Sequence, residues 1–355
     1  MRTYTFLLCM CCCACVFGQL SGQELPTASY EEAGLNRDSI EILFDRIHAT
    51  PHKDFRGLVV IKDNRLVIEA HFNTFWRQSI HDIRSAGKSI TALLLGVAIR
   101  DGLIKDLDQD LYSLFSIEKN PSLNPDYQKI TLRDVLDMSS GLDADTDNMK
   151  TKGHAAHWVE RDDWKEYILS VRLKSRPGKK FAYADIHAVL VGLAIEEASG
   201  MSLRDYAQKK LFDPLGIRQV YWLTNAANQT GAAGNLYLNT LDFAKLGTLV
   251  SNQGKWGDQQ LIDPEYIDAL INRKKSAIGD WFFLADTYGM FWYKATRKFA
   301  GKEREYLFAS GNGGNHLVVF PKENMVIALT SSAYGQRYSH SRSFAIMEKV
   351  LNALE

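Results

Sequence analysis

Ser85 and Lys88 stand three residues apart at the head of a long apolar run, inside the stretch from His81 to Arg100. Side chains at i and i+3 share a helix face, so the amine can reach the hydroxyl. A serine becomes a nucleophile when a base takes its proton, and a lysine serves as that base only when burial or nearby charge lowers its pKa. Ala86, Ile90, Leu93, Leu94 and Val97 follow helical spacing, and Asp101-Gly102 supplies a stop. The pair therefore sits at the mouth of an apolar helix, whose positive end favours negative charge on the serine oxygen or on a bound oxyanion. A second Ser-x-x-Lys, Ser116 to Lys119, is followed by Asn120-Pro121 and reads as a solvated loop.

Two later stretches can complete such a site. Tyr183 and Asp185 follow the turn signal Pro177-Gly178 and precede a helix starting at His187. In a loop, both side chains can enter one cleft. A tyrosine beside an ammonium loses its proton more easily and can act as general base or relay. The same look recurs at Tyr237/Asn239 and Tyr266/Asp268, and a packing tyrosine with a capping aspartate is the plain alternative. The second stretch, Ala309 to Asn315, is glycine-rich and lies on or just after a strand. Its glycines allow close backbone approach, and a main-chain N–H here, paired with that of Ser85, makes an oxyanion hole. A simple hairpin turn is the alternative.

Other candidates carry less. His154 and His157 share a helix face but have no acidic or histidine partner at metal spacing, so no metal is expected. Trp158, Trp164, Trp222, Trp281 and Trp292 either line a cleft or fill the core. His316 opens a strand after the glycine loop, and nothing in the sequence orients it.

The elements that must position these groups can be read in outline. Asn36 caps a helix running to His48, with Ile40, Leu43, Phe44 and Ile47 as its apolar stripe. Leu58–Ile61 and Leu66–Ile68 flank a turn at 62–65 and read as a hairpin. From about 100 to 235 helical signals dominate: Ile130–Met138, His187–Ser199, Ser202–Leu211 and, just beyond, Thr240–Val250. Strand signals return at Tyr288–Tyr293, Glu305–Phe308, His316–Phe320 and Met325–Thr330, and a helix from Ser341 to Leu354 closes the chain. The pattern predicts a sheet built from both chain ends, with a helical region inserted between its second and third strands. The junction is where a cleft is expected.

The 355 residues allow a sizeable core, and the hydrophobic fraction of 46% is that of a globular protein. Lys and Arg total 42 against 42 Asp and Glu, so no basic face for nucleic acid is indicated. All five cysteines, Cys9, Cys11, Cys12, Cys13 and Cys15, fall in a short apolar run after Arg2. That run reads as a signal peptide over residues 1–18 with cleavage before Gln19, and it is too short for a membrane span. A lipid anchor on Cys15 and a metal cluster are the other two readings. Plain cleavage leaves a mature chain, 19–355, without cysteine, in a periplasmic or secreted location.

The order Ser-x-x-Lys, Tyr-x-Asp, strand-x-Ser-Gly, with the helical region between, resembles the serine β-lactamase/penicillin-binding-protein superfamily. The resemblance runs from about residue 30 to 350 and is nearest to the class C-like group of β-lactamases, esterases, D-amino-acid peptidases and amide-oligomer hydrolases. Ile130–Leu142, Arg176–Tyr183, Leu211–Gly216 and Ser251–Gly257 carry it beyond the short motifs. It implies an α+β, β-lactamase/transpeptidase-like fold: an antiparallel sheet (about 30–80 and 240–355) flanked by terminal helices, with an all-helical part at about 85–240.

The resemblance makes Ser85 the acylated nucleophile, Lys88 its proton acceptor or tuning group, and Tyr183 the proton relay. Asp185 stands where class C enzymes usually carry asparagine. As a carboxylate it favours a charged Lys88 and shifts the base role onto Tyr183. Ala309, Ser310 and Gly311 stand at the family's Lys-Thr-Gly, which makes Asn312 the second oxyanion donor. Ala309 lacks the cation that holds a substrate carboxylate, so the resemblance implies a small-molecule or peptide-like ester or amide substrate without that group. It implies no metal or organic cofactor. A true β-lactamase or D-amino-acid peptidase is the rival within enzymes. A non-catalytic penicillin-binding or sensor-like protein is the rival outside them.

Overall fold

The computed structural model describes residues 24–273 and 276–354. The expected signal segment, its five cysteines and the cleavage point before Gln19 lie outside the described residues.

The chain runs α1 (Arg37–Ala49), β1 (Phe55–Lys62), β2 (Arg65–His71), β3 (His81–Asp82) and α2 (Gly87–Arg100). The helical region follows: α3 (Leu132–Leu136), α4 (Trp164–Ser170), α5 (Asp185–Ser199) and α6 (Leu203–Ala207). Then come β4 (Tyr221–Trp222), β5 (Leu236–Leu238), α7 (Thr240–Ser251), β6 (Lys255–Trp256), β7 (Gln259–Gln260) and α8 (Pro264–Asn272). The chain closes with β8 (Ser276–Ala277), β9 (Thr287–Gly289), β10 (Trp292–Phe299), β11 (Lys302–Gly311), β12 (Asn315–Phe320), β13 (Met325–Ser331) and α9 (Ser339–Asn352).

Both chain ends build one eight-stranded antiparallel sheet in the order β2-β1-β13-β12-β11-β10-β9-β8. Every residue of β12 and β13 is buried, which explains why these strands read as continuous apolar runs rather than alternating ones. Both faces are covered: α7 packs on β1, β12 and β13, and α9 packs on β10, β12 and β13. The predicted hairpin forms, with Asp63 and Asn64 at φ +50° and +60° in its two-residue turn. Asn36 caps α1, its side-chain oxygen accepting from Ser39 N at 3.0 Å.

α2 is the pivot between the sheet and the helical region. Every residue from Gly87 to Ala98 is buried, as expected for a helix that is apolar all round. It packs on α5 and on β11. Tyr266 of α8 donates its hydroxyl to the Ala92 carbonyl at 2.6 Å. A Cβ on Gly96 would lie 2.7 Å from the Tyr266 ring, so this glycine sets the close approach of α8.

Four readings of the sequence are corrected. Tyr288–Tyr293 is not one strand but β9, a turn at Met290-Phe291 with φ +53° and +58°, and β10. Neither of the turn's two left-handed positions is a Gly or Asn. It is imposed from the end of α3, where Asp137 Oδ1 accepts from Met290 N at 3.1 Å and the Leu136 carbonyl accepts from Phe291 N at 3.0 Å. α3 itself is shorter than the predicted helix and begins at a capping box between Thr131 and Asp134. Asp185 is not in a loop: α5 starts two residues earlier than predicted, with Ala184 as its N-cap, so Asp185 occupies the first turn. Finally, a small sheet in the order β3-β5-β4 forms, and two of its strands, β4 and β5, sit in the region read as all-helical. Its strands are two or three residues long, too short for a periodic signal.

Candidate active site

The Ser85 turn is built from both sides. Ser85 lies in a single 3-10 turn, Arg84–Ala86, that feeds directly into α2. Its N–H belongs to the first turn of this helical run, where no intrahelical acceptor exists. Arg84, just before it, has φ +53°, a conformation that costs a non-glycine residue about 1–3 kcal/mol and must be held by its surroundings. Asp82 Oδ1 accepts from Arg84 N at 2.8 Å, and Asp82 Oδ2 lies 3.1 Å from Arg84 Nε. The Arg84 guanidinium also rests over the Tyr334 ring, 4.4 Å from its centroid.

Two glycines bring a second segment onto this turn. A Cβ on Gly87 would lie 3.2 Å from Gly234 Cα, and a Cβ on Gly234 would lie 3.1 Å from the Arg84 carbonyl oxygen. That proximity delivers the segment 230–235 to α2. The Ala233 carbonyl accepts from Lys88 Nζ at 2.8 Å, and the Ala232 carbonyl accepts from Thr91 Oγ1 at 2.8 Å.

Lys88 is therefore fully engaged. Nζ lies 3.1 Å from Ser85 Oγ, 2.8 Å from the Ala233 carbonyl and 2.7 Å from Asp185 Oδ1. An ammonium has three N–H donors and no acceptor, and three acceptors meet it here. The side chain is 1% exposed, and an unpaired ammonium so placed would cost several kcal/mol. Burial pulls the Lys88 pKa down, but the Asp185 carboxylate, with Tyr183 beside it, outweighs burial and holds the ammonium above its ordinary range. The lysine at rest is a donor to Ser85, not an acceptor of its proton.

Tyr183 stands over this ammonium, its ring centroid 5.1 Å from Lys88 Nζ. Its main chain is held by Thr146, whose N–H donates to the Tyr183 carbonyl at 2.7 Å. Its ring stacks on Trp281 at 4.8 Å and meets Tyr288 edge-on at 5.7 Å. Burial raises the phenols of Tyr288 and Tyr293 well above their ordinary value, so these neighbours stay neutral. Among them, Tyr183 is the one placed against a cation.

The glycine stretch closes the other side. A Cβ on Gly311, the last residue of β11, would lie 1.9 Å from the Ile83 carbonyl oxygen and 3.2 Å from Ala86 N. Only a glycine lets this strand end abut the Ser85 turn. Asn312 follows and lines the same cleft as Ser85 and Asp185, a volume of about 260 Å³. Asn315, absent from the expected site residues, fixes this turn: its Nδ2 donates to the Asn312 carbonyl at 2.8 Å, and its Oδ1 accepts from Ser331 N at 3.0 Å. The Asn312 side-chain oxygen accepts from Gly335 N at 2.8 Å. Ser310, two positions before Asn312, is buried and does not line the cleft.

The far wall of the cleft is apolar. Trp158 and Trp164 meet edge to face at 5.5 Å, with Val159 beside them. Their indole N–H groups are spent on the Gly153 and Val159 carbonyls, so they offer carbon surface to a ligand. Trp222 and Trp292 are core. His316 is buried against His340 and Phe344, not in the cleft. His154 and His157 bond backbone groups of their own loop. The Ser116–Lys119 pair forms a turn, with Ser116 Oγ donating to Glu118. Among the described residues no group of three or more His, Cys, Asp or Glu could hold a metal ion.

A β-lactamase family model matches residues 45–350. The chain belongs to the β-lactamase family. Among curated proteins, this family member is similar to the lovastatin esterase of Penicillium rubens, with 28% identity over 241 residues that cover 54% of this chain and 59% of the esterase. The chain spans under three fifths of the length of the first curated relatives it matches. Among solved structures it is similar to a provisionally named 6-aminohexanoate-dimer hydrolase from Bacillus anthracis, at TM-score 0.72 and 19% identity, covering 94% of this chain and 88% of that one. A penicillin-binding protein homolog from Caulobacter crescentus matches at TM-score 0.69 and 15% identity, covering 89% and 97%. These structural likenesses establish the β-lactamase/transpeptidase-like α+β fold that the motifs implied.

Proposed function

We propose that the chain is a serine hydrolase that cleaves an ester or amide through an acyl-enzyme on Ser85. The observation that carries this is the contact of Ser85 Oγ with Lys88 Nζ at 3.1 Å, in a cleft shared with Asn312. Ser85 Oγ attacks the carbonyl carbon as its proton passes to Tyr183, whose ring centroid lies 5.1 Å from the buried Lys88 ammonium. The carbonyl electron pair moves onto oxygen, where the N–H groups of Ser85 and Asn312 receive it. The tetrahedral intermediate collapses, the bond to the leaving group breaks, and Tyr183 returns the proton to that group. Water, deprotonated along the same path, then releases the acid and restores the Ser85 hydroxyl.

The substrate class follows from the walls. Ala309 is apolar and fully buried, so β11 presents no cation for a substrate carboxylate at that position. The carbon surface of Trp158, Val159 and Trp164 suits an apolar group. The name of the lovastatin esterase is in keeping with an ester. Action in the periplasm or outside the cell belongs to this proposal, on the strength of the signal-like segment 1–18.

The test compares wild type with Ser85→Ala on p-nitrophenyl butyrate and on a chromogenic cephalosporin. Ester turnover that falls by about a thousandfold or more in Ser85→Ala supports the proposal. Undiminished turnover in that variant overturns it. Cephalosporin cleavage faster than ester cleavage would move the assignment to a β-lactamase.

A further inference from the structure

Trp281 does not line the cleft beside Ser85, yet it touches the tyrosine on which the proposed chemistry depends. The two rings stack with centroids 4.8 Å apart and planes 29° apart. Phe181 packs edge-on against the same indole at 5.5 Å. Trp281 is 37% exposed, and a ring that open to water would ordinarily be free to turn. It is not free here, because Nε1 donates to Asp147 Oδ2 at 2.8 Å.

The partner is informative. Trp281 lies between β8 and β9, at the edge of the large sheet, whereas Asp147 lies in the loop between α3 and α4. Asp147 follows Thr146, whose N–H holds the Tyr183 carbonyl at 2.7 Å. One loop thus fixes Tyr183 twice: Thr146 grips its main chain, and Asp147 grips the indole that lies on its ring. The phenol oxygen sits at the end of a side chain with two rotatable bonds. Holding the backbone and one ring face removes the freedom to swing away from Lys88.

We infer that Trp281 is a positioning residue for Tyr183, locked in place by Asp147 across the boundary between sheet and helical region. The inference rests on the reading of Tyr183 as the proton carrier. It assigns Trp281 no contact with the reacting atoms. A misplacement of about 1 Å at a proton-transferring group is enough to cost about a hundredfold in rate.

The experiment is a double-mutant cycle on p-nitrophenyl butyrate hydrolysis, with Trp281→Ala, Tyr183→Phe and the double variant, and thermal melting as the control for folding. Trp281→Ala is expected to lower kcat by about tenfold to a hundredfold, with KM within about threefold of wild type. Trp281→Phe, which keeps a stacking ring, is expected to restore most of kcat. The deciding comparison is the double variant: if Trp281 acts through Tyr183, it is no slower than Tyr183→Phe alone. A Trp281→Ala enzyme with wild-type kcat overturns the inference, as does a full additional loss in the Tyr183→Phe background. Should Trp281→Ala fail to fold, Asp147→Ala replaces it in the same cycle with the same outcomes, since it frees the indole without removing it.

Failure of the underlying reading looks different. Tyr183→Phe at wild-type rate overturns the proton-carrier role, whatever Trp281 does. A wild-type protein with neither ester turnover nor labelling of Ser85 by a fluorophosphonate overturns both.

Discussion

Asp185 Oδ1 lies 2.7 Å from Lys88 Nζ, closer than Ser85 Oγ at 3.1 Å. The carboxylate, not the serine, is the primary partner of the buried amine. The first helical turn of α5 and the first turn of α2 meet at this pair, so the charge state of the site is set where two helix starts converge.

That pair yields a pH prediction. Lys88 is held above its ordinary range, so its positive charge persists to higher pH than a free lysine, whose pKa is about 10.4. If the ammonium supports Tyr183, activity is lost only as pH rises through that elevated value. Asp185→Asn removes the carboxylate that raises it, and burial then pulls the lysine down. The alkaline limb of kcat/KM is expected to move to lower pH in Asp185→Asn, measured on p-nitrophenyl butyrate from about pH 6 to pH 11. A limb that stays in place contradicts the charged-lysine assignment.

The glycines beside Ser85 differ in how much they tolerate. A Cβ at Gly311 meets the Ile83 carbonyl at 1.9 Å, whereas one at Gly234 meets the Arg84 carbonyl at 3.1 Å. Gly311→Ala must displace backbone next to the nucleophile, while Gly234→Ala needs a shift of a few tenths of an ångström. We expect Gly311→Ala to destabilise by about 1–3 kcal/mol and to reduce kcat/KM by about a hundredfold. Gly234→Ala is expected to be the milder of the two in both melting temperature and rate. Equal effects would show that the two approaches are equally tight.

Acid stability depends in part on buried histidines, His81 and His187 among them. Burial lowers His81 and His187 to about 4 from the ordinary 6.5. His81 Nε2 is 3.0 Å from the Ser331 carbonyl, and His187 Nε2 is 2.7 Å from Ser140 Oγ. Each is neutral when folded and gains a proton on unfolding, so its contribution is complete above pH 6.5 and is lost as pH falls toward 4. The loss is on the order of 3 kcal/mol for each. Urea midpoints are expected to fall between pH 6.5 and 4, and His187→Gln should flatten that fall even if it lowers stability at pH 7. An equally steep fall in His187→Gln would assign the acid response to other groups.

A second titration lies further down. Burial would raise Glu69, but its bonds to His71 and Arg77 outweigh this and bring its pKa to about 2 from 4.5. Its stabilisation is present above pH 4.5 and fades toward pH 2. Glu69→Gln is expected to reduce stability at pH 7 and to leave less to lose below pH 4.5, as read from melting temperatures at the two ends of that range.

Much of the architecture was legible because it rests on short-range rules. The Asn36 cap, the Asp63-Asn64 turn, the apolar stripe of α2 and the closing helix all depend on neighbours within a few residues. The turn at Met290-Phe291 was not legible, because its bonds come from Leu136 and Asp137, more than 150 residues earlier. The strands β3, β4 and β5 escaped for the same reason: each exists only because the others lie alongside it.

In the site, the sequence by itself determined that Ser85 and Lys88 meet, since i and i+3 on one helix need nothing from outside. It also offered Tyr183 and Asp185 as side chains able to enter one cleft, and the family resemblance joined them to that pair. What only the tertiary structure decided is the state of the lysine. Three acceptors from three segments surround it: Ser85 beside it in sequence, Asp185 from α5 and the Ala233 carbonyl from a loop 145 residues away. A buried amine takes its charge from the sum of desolvation and nearby dipoles, and that sum depends on distances no linear spacing encodes. Trp281 is the same lesson in packing: nothing in its sequence context points to Tyr183, and only the meeting of the sheet edge with the helical region lays one ring on the other.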